Sequence, residues 1–398
     1  MAGTVTTDTS ALARTKKACR TSSTSSSTGC IRVSELISAL SYALDLTEGR
    51  PMGHSVRACV IGMRIAEELG LPPQVQADLY YTLLLKDAGC SSNSSRLYHI
   101  LNADDIRAKG DLKTTDWTRV GWESLHYALT HVATGDAFPQ RVWRLVRVAA
   151  TQQRDSCELV KIRCDRGSSI VRKLGFSEAV AAGIYSLDEH WNGGGYPNGL
   201  LKQEIPVHAC IANLAQTLEV FLMARGRKQA VEAARLRSGR WFNPDLVDAT
   251  LSLCKSGKLW EDLEKEDLIE YVLALEPTDR RLGADDKTID AICLAFAEII
   301  DSKTPFTFRH SVGVAEAASD IARHIGMGGG ELRKLRRAAL LHDIGKLGVS
   351  NAILEKPGKL TARNSPRCAS IPITPMKFFG AFLRSPISAT TRRCTTSD

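Results

Sequence analysis

Arg309-His310-Ser311-Val312 opens the stretch 309–360, around which this chain of 398 residues is organised. Leu340-Leu341-His342-Asp343-Ile344-Gly345-Lys346 follows, and Lys356-Pro357-Gly358-Lys359-Leu360-Thr361 closes it. Val314, Ala317, Ile321 and Ile325 share one helical stripe with His310. Leu332, Leu335, Ala339 and His342 form a second stripe, with Asp343 one step round. The spacing predicts two helices that turn His310, His342 and Asp343 into one interior space. Two imidazoles and a carboxylate make a mixed nitrogen and oxygen donor set suited to a divalent cation. Three donors alone leave a catalytic ion undersupplied.

Upstream the same pattern recurs. Gly53-His54-Ser55-Val56-Arg57 leads into Val60, Ile61, Ile65 and Leu69, and Gly70-Leu71-Pro72-Pro73 breaks the run. A further helical pattern over Val75, Leu79, Leu83 and Leu84 reaches Leu85-Lys86-Asp87-Ala88-Gly89-Cys90. The first histidine and the aspartate are 33 residues apart in both copies. A shared pattern at a shared spacing predicts two related helical units. The first copy has lost chemistry, because Lys86 stands where His342 stands and a protonated ammonium has no lone pair to offer a cation. Cys90 stands in place of Lys346. A buried Lys86 is expected to pair with Asp87 as an internal ion pair that serves structure.

Aromatic residues make up 6% of the chain and hydrophobic residues 43%, mostly Leu, Ala, Val and Ile at helical spacing. This predicts an all-α protein with enough apolar surface for two domains. No run of eighteen apolar residues occurs, so no membrane span is expected, and no secretory leader is legible. The eleven cysteines are scattered without a C-x-x-C pair, which points to reduced thiols and a cytoplasmic location. Of the formal charge of +8, much sits at the two ends, where Asp8 and Asp398 are the acids of residues 1–32 and 361–398. Neither end spaces its basic residues along an organised helix, so nucleic acid is not an expected partner.

Residues 1–30 are Thr-, Ser- and Ala-rich and read as a disordered low-complexity leader. Residues 31–260 form the first helical unit, its first helix capped by Ser34. Within it, 91–155 reads as an insertion with a helix over Val142, Leu145, Val146 and Ala149, and a separate helix opens at Arg163. Cys164 reads as a buried small residue, and Asp87, Asp104, Asp105 and Asp111 as solvated acids. Leu187-Asp188-Glu189-His190-Trp191-Asn192-Gly193-Gly194-Gly195-Tyr196-Pro197 is a tight irregular loop, with His190 structural. Residues 261–287 read as a linker, 288–361 as the front of the second unit, and 362–398 as a disordered or frameshifted tail. The tail reading rests on its Pro-punctuated, Arg-rich sequence, which departs abruptly from the preceding helical pattern.

His310, His342-Asp343, Gly345-Lys346 and Lys356-Pro357-Gly358-Lys359-Leu360-Thr361 together resemble the front half of the HD-GYP domain, a branch of the HD superfamily of metal-dependent phosphohydrolases. Residues 187–197 resemble that branch's signature loop, although they sit in the other copy. The resemblance implies tandem HD-like helical bundles and divalent metal ions (Fe, Mn, Mg or Zn) that this chain need not retain. It implies His310, His342 and Asp343 as metal ligands, with Asp343 also catalytic. Lys346 is implied as the contact to the scissile phosphate. His54, Lys86, Asp87 and Glu189 are the corresponding positions of a degenerate site, and Gln216 falls where a late ligand aspartate is expected.

The implied substrate is a cyclic dinucleotide such as cyclic di-GMP, or another phosphoester. A homodimer is the implied assembly. Activity in this chain is expected to be weak or lost. The alternative is a non-catalytic ligand-binding, regulatory or dimerisation module on the same fold.

Overall fold

The computed structural model describes residues 31–116, 122–133, 136–277 and 282–359, so the two ends of the sequence, with the leader and tail readings, lie outside the described residues. The first copy begins with α1 (Val33–Thr47), α2 (His54–Glu68) and α3 (Pro73–Leu85). Next come α4 (Ser94–Leu101), α5 (Asp105–Leu112), α6 (Trp122–His131), α7 (Phe138–Lys173) and α8 (Glu178–Tyr185). After the glycine-rich loop follow α9 (Val207–Arg225), α10 (Arg227–Arg237), α11 (Pro244–Ser256), α12 (Lys258–Leu263) and α13 (Leu268–Leu275). The second copy holds α14 (Asp286–Asp301), α15 (His310–His324), α16 (Gly329–Leu341) and α17 (Asn351–Leu354). Among the described residues β structure is limited to isolated bridges, and the fold is all-helical.

The repeat read from sequence is a repeat of structure. Helices α2 and α15 each have 15 residues, and α3 and α16 each have 13. Both α2 and α15 start after a residue in the left-handed region, Gly53 at φ +85° and Arg309 at φ +57°. A carboxylate at the end of the preceding helix closes each start. Asp45 accepts from the Ser55 N–H and hydroxyl at 3.1 and 2.8 Å. Asp301 accepts from the Ser311 N–H at 3.0 Å and hydroxyl at 2.6 Å. Each carboxylate satisfies an orphan N–H and faces the positive end of the helix dipole.

Helix α9 packs along α2 and α10, and α2 also packs on α3, α11 and α13. One apolar core runs from Val33 through these helices into α14, α15 and α16. Helix α9 has the length and apolarity to cross a bilayer, which counting apolar runs did not reveal, but most of it is buried as a core helix. The connecting stretch carries structure of its own. Val272 of α13 is buried, and Glu276 accepts from Ser34 Oγ and Tyr81 Oη at 2.7 Å each.

Three local expectations change. Helix α1 begins at Val33 without a side-chain cap, and the Ser34 hydroxyl goes to Glu276 instead. Helix α7 is continuous over 36 residues, where the sequence pattern predicts two helices, and it passes through the polar run around Gln152–Glu158 between them. That run is at least partly exposed, so polarity there marks a wetted helix face. Asp87 and Asp105 are fully buried rather than solvated.

Candidate metal centre and its degenerate twin

In the second copy, α15 presents His310 from its first turn, and His342-Asp343 follow the last turn of α16. These helices pack against each other, which brings the three side chains together as the sequence predicts. His310 Nε2 lies 3.4 Å and His342 Nε2 3.2 Å from Asp343 Oδ2. The His342 Nδ1 bonds the Ala339 carbonyl at 2.7 Å. That contact places the ring proton on Nδ1 and leaves the Nε2 lone pair facing the cluster, as a metal-ligating histidine requires. Lys346 places its ammonium 2.5 Å from Asp343 Oδ2, so it sits on a candidate ligand oxygen. The donor set, two imidazole nitrogens and one carboxylate oxygen, fits a divalent cation of borderline softness.

The space around this cluster is not the interior that the stripe predicted. His310 is 43% exposed, and Ile321 and Ile325 are 65% and 73% exposed. Ile65, the counterpart of Ile321, is fully buried. In the first copy α9 lies along α2, and no described residue covers the matching face of α15.

A second cluster with donor atoms in metal-binding reach is Glu48, Asp87 and Cys90, all buried. Here ammonium groups are already present. Lys86, 1% exposed, bonds Asp87. Lys113 lies 2.6 Å from Glu48 and 3.5 Å from Asp87. Burial alone would raise both carboxylates, but Lys113 and the other nearby cations together outweigh it, holding Glu48 down at about 2 and Asp87 well below the usual range. Burial pushes the Cys90 thiol up, so it keeps its proton.

His54 gives Nδ1 to a close contact with Glu219, while its Nε2 is 3.8 Å from Asp87. Burial, helped by Lys86, lowers the His54 pKa. Arg57 also donates to Glu219 at 2.7 Å. Burial would raise Glu219, yet His54 and Arg57 hold it at about 2.

The glycine-rich loop is a structural clasp. Glu189 accepts from the Asn198 and Leu200 N–H groups at 2.7 and 2.9 Å. Gly195 turns so tightly that a Cβ there would meet the His190 nitrogen at 2.3 Å. His190 stacks on Trp241 with ring centroids 4.2 Å apart, and burial brings its pKa down to about 3. Asp188 pairs with Arg163 of α7, whose backbone passes so close to Gly89 that a Cβ would meet the Arg163 carbonyl at 1.9 Å.

Sequence reasoning missed Asp45, Asp301, Glu48, Lys113 and Glu219. The two aspartates precede their histidines by the same nine residues, so extending the repeat upstream would find them. Nothing local marks Glu219, which meets His54 across 165 residues of chain.

Comparison with known proteins gives a consistent set of likenesses. Residues 108–246 and, separately, residues 307–368 match HD domain families. The chain is 42% identical over 330 residues to the 3'3'-cGAMP-specific phosphodiesterase 3 of Vibrio cholerae, covering 82% of this chain and 71% of that protein. It is 45% identical over 56 residues to a cyclic di-GMP phosphodiesterase of Pseudomonas aeruginosa, 14% of each chain. The crystal structure of a cyclic GMP-AMP specific phosphodiesterase of V. cholerae superposes with a TM-score of 0.67 at 37% identity, over 90% of this chain and 81% of that one.

Proposed function

The chain belongs to the HD superfamily of metal-dependent phosphohydrolases, and from that premise we propose that its second copy is a cyclic-dinucleotide phosphodiesterase site with weak or no turnover in this chain. The convergence of His310, His342 and Asp343 carries the reading. Those three side chains would hold the cation through two Nε2 atoms and Oδ2. A bound divalent ion supplies Lewis acidity and lowers the pKa of a coordinated water. The chain's own contribution is orientation. The Ala339 carbonyl fixes the His342 ring, and Asp301 fixes the start of α15, hence His310. With a cation on the Asp343 carboxylate, the Lys346 ammonium, which lies 2.5 Å from its Oδ2, would be free to contact a phosphate oxygen.

Weak turnover follows from the donor count and from exposure. A hydrolytic centre that clamps both the attacking and the leaving oxygen needs more donors than three, in a site that excludes water. Among the described residues the second copy offers three donors beside an open helix face. The first copy is read as non-catalytic, because Lys86 occupies a ligand position with its charge already paired.

The test is hydrolysis of 3'3'-cGAMP and cyclic di-GMP by the purified chain with manganese, against the His342→Ala variant. Product formation indistinguishable between the two is expected. Robust turnover lost in His342→Ala would overturn the weak-activity reading and leave the site assignment standing. Equal robust turnover in both would overturn the assignment.

A further inference from the structure

The degenerate first copy contains a pocket that the hydrolytic reading does not use. It has a volume of about 160 Å³, well beyond the roughly 10–15 Å³ that a single water needs. One wall carries three cations: Lys109 on α5, Lys113 at its end and Arg163 on α7. Another wall is one face of α9, where Asn213, Gln216 and Thr217 are spaced i, i+3, i+4. Leu97, Leu159, Val220 and the Trp241 ring supply apolar lining.

Two observations point to a ligand. Gln216 is only 8% exposed, yet its Oε1 has no hydrogen-bond partner. Its Nε2 reaches only to Asn213 Oδ1, at 3.5 Å. A buried amide oxygen left unpaired is costly unless something else binds it. The second observation is charge. Among the lining residues Lys109, Lys113 and Arg163 meet two carboxylates, Glu48 and Asp188, which leaves one positive charge unmatched; Lys109, bonded to the Cys90 carbonyl and Ser94 hydroxyl, lies 4.0 Å from Glu48.

We propose that this pocket binds a nucleoside monophosphate, with the phosphate toward Lys109, Lys113 and Arg163 and the base's N–H donors on the α9 amides. The site is separate from the metal centre of the second copy and does not depend on turnover there.

The test is calorimetric titration of the full chain, stripped of metal with a chelator, using GMP, AMP, guanosine and inorganic phosphate in turn. At least one monophosphate binds saturably and at least about tenfold more tightly than guanosine or phosphate. Gln216→Leu weakens that binding by about tenfold or more while leaving the thermal midpoint unchanged or higher, since it removes an unsatisfied buried group. Thr217→Val gives the same reading should Gln216→Leu fail to fold. His342→Ala leaves binding unchanged. Absence of saturable binding, phosphate binding as tightly as the nucleotide, unaltered affinity in the α9 variants, or loss of binding in His342→Ala each overturns the proposal.

Discussion

Lys86 and His342 occupy equivalent steps of the repeat, and the difference between them sets the chemistry of each copy. His342 keeps a lone pair directed at its neighbours, whereas Lys86 brings a charge that closes on Asp87. In the second copy the competitor is Lys346, which sits on the Asp343 oxygen that a cation would use. Lys346→Met removes that competitor, so manganese affinity measured by titration is expected to rise several-fold. An unchanged or weaker affinity would show that Lys346 does not compete. The first copy carries its electrostatics buried, with consequences for acid stability. Glu48 and Glu219 hold pKa values of about 2 against an ordinary 4.5, so the folded state resists protonation more than the unfolded chain does. Their stabilisation is complete above about pH 4.5 and is lost as pH falls from there toward 2, roughly 3 kcal/mol per group as an upper figure. His54, depressed below 6.5, adds a loss that begins as pH falls through that value. Urea midpoints measured from pH 7 to 2.5 should fall accordingly, and Glu219→Gln should flatten the part below pH 4.5.

At the scale of the element, α2 and α15 are one design in two settings. Both start from a left-handed residue, are closed by an upstream aspartate and put a histidine first. Their neighbours differ, since α9 lies along α2 while the same face of α15 is open among the described residues. The repeat supplies its own control experiment. Ile65→Ala should cost about 2–5 kcal/mol by denaturant unfolding, as a buried branched side chain lost from a packed core. Ile321→Ala, at the matching but exposed position, should stay within about 0.5 kcal/mol. Equal costs would mean that the α15 face is covered in solution. Helix α7 shows the limit of pattern reading at this scale. Its polar middle carries no apolar stripe to announce a helix, and packing at its C-terminal half, including the close approach to Gly89, holds it.

Across the whole molecule the copies are joined by a buried polar hub as well as by shared core. Asp105 of α5 accepts from Ser350 Oγ at 2.8 Å and from the Asn351 N–H at 2.7 Å, at the start of α17. It also pairs with Lys303 at 3.0 Å, and Asn351 returns a bond to the Lys303 carbonyl. Burial pulls Lys303 down to about 8, with Asp105 resisting the fall. Removing the carboxylate would leave an ammonium buried without its counter-charge, a loss of about 3–5 kcal/mol. In Asp105→Ala, hydrogen exchange should therefore speed first at α17 and the turn Ile344–Gly348, which packs on α1. Uniform loosening of both copies would argue against a hub that acts mainly on the second.

The sequence by itself determined the all-helical class, the repeat, the family resemblance and the trio His310, His342 and Asp343. Each of these is written in local periodicity or in a fixed spacing, which a chain carries whether folded or not. It also placed Lys86 where the second copy has His342, and an ammonium offers no lone pair in any fold. Only the tertiary structure decided what surrounds those residues. The partnership of His54 with Glu219, the lysines that fill the first site, the hub at Asp105 and the open face of α15 all depend on helices brought together from distant parts of the chain. Burial and charge pairing are properties of that assembly. They leave no trace in spacing, and they separate an electrostatically filled site from one still open to a cation.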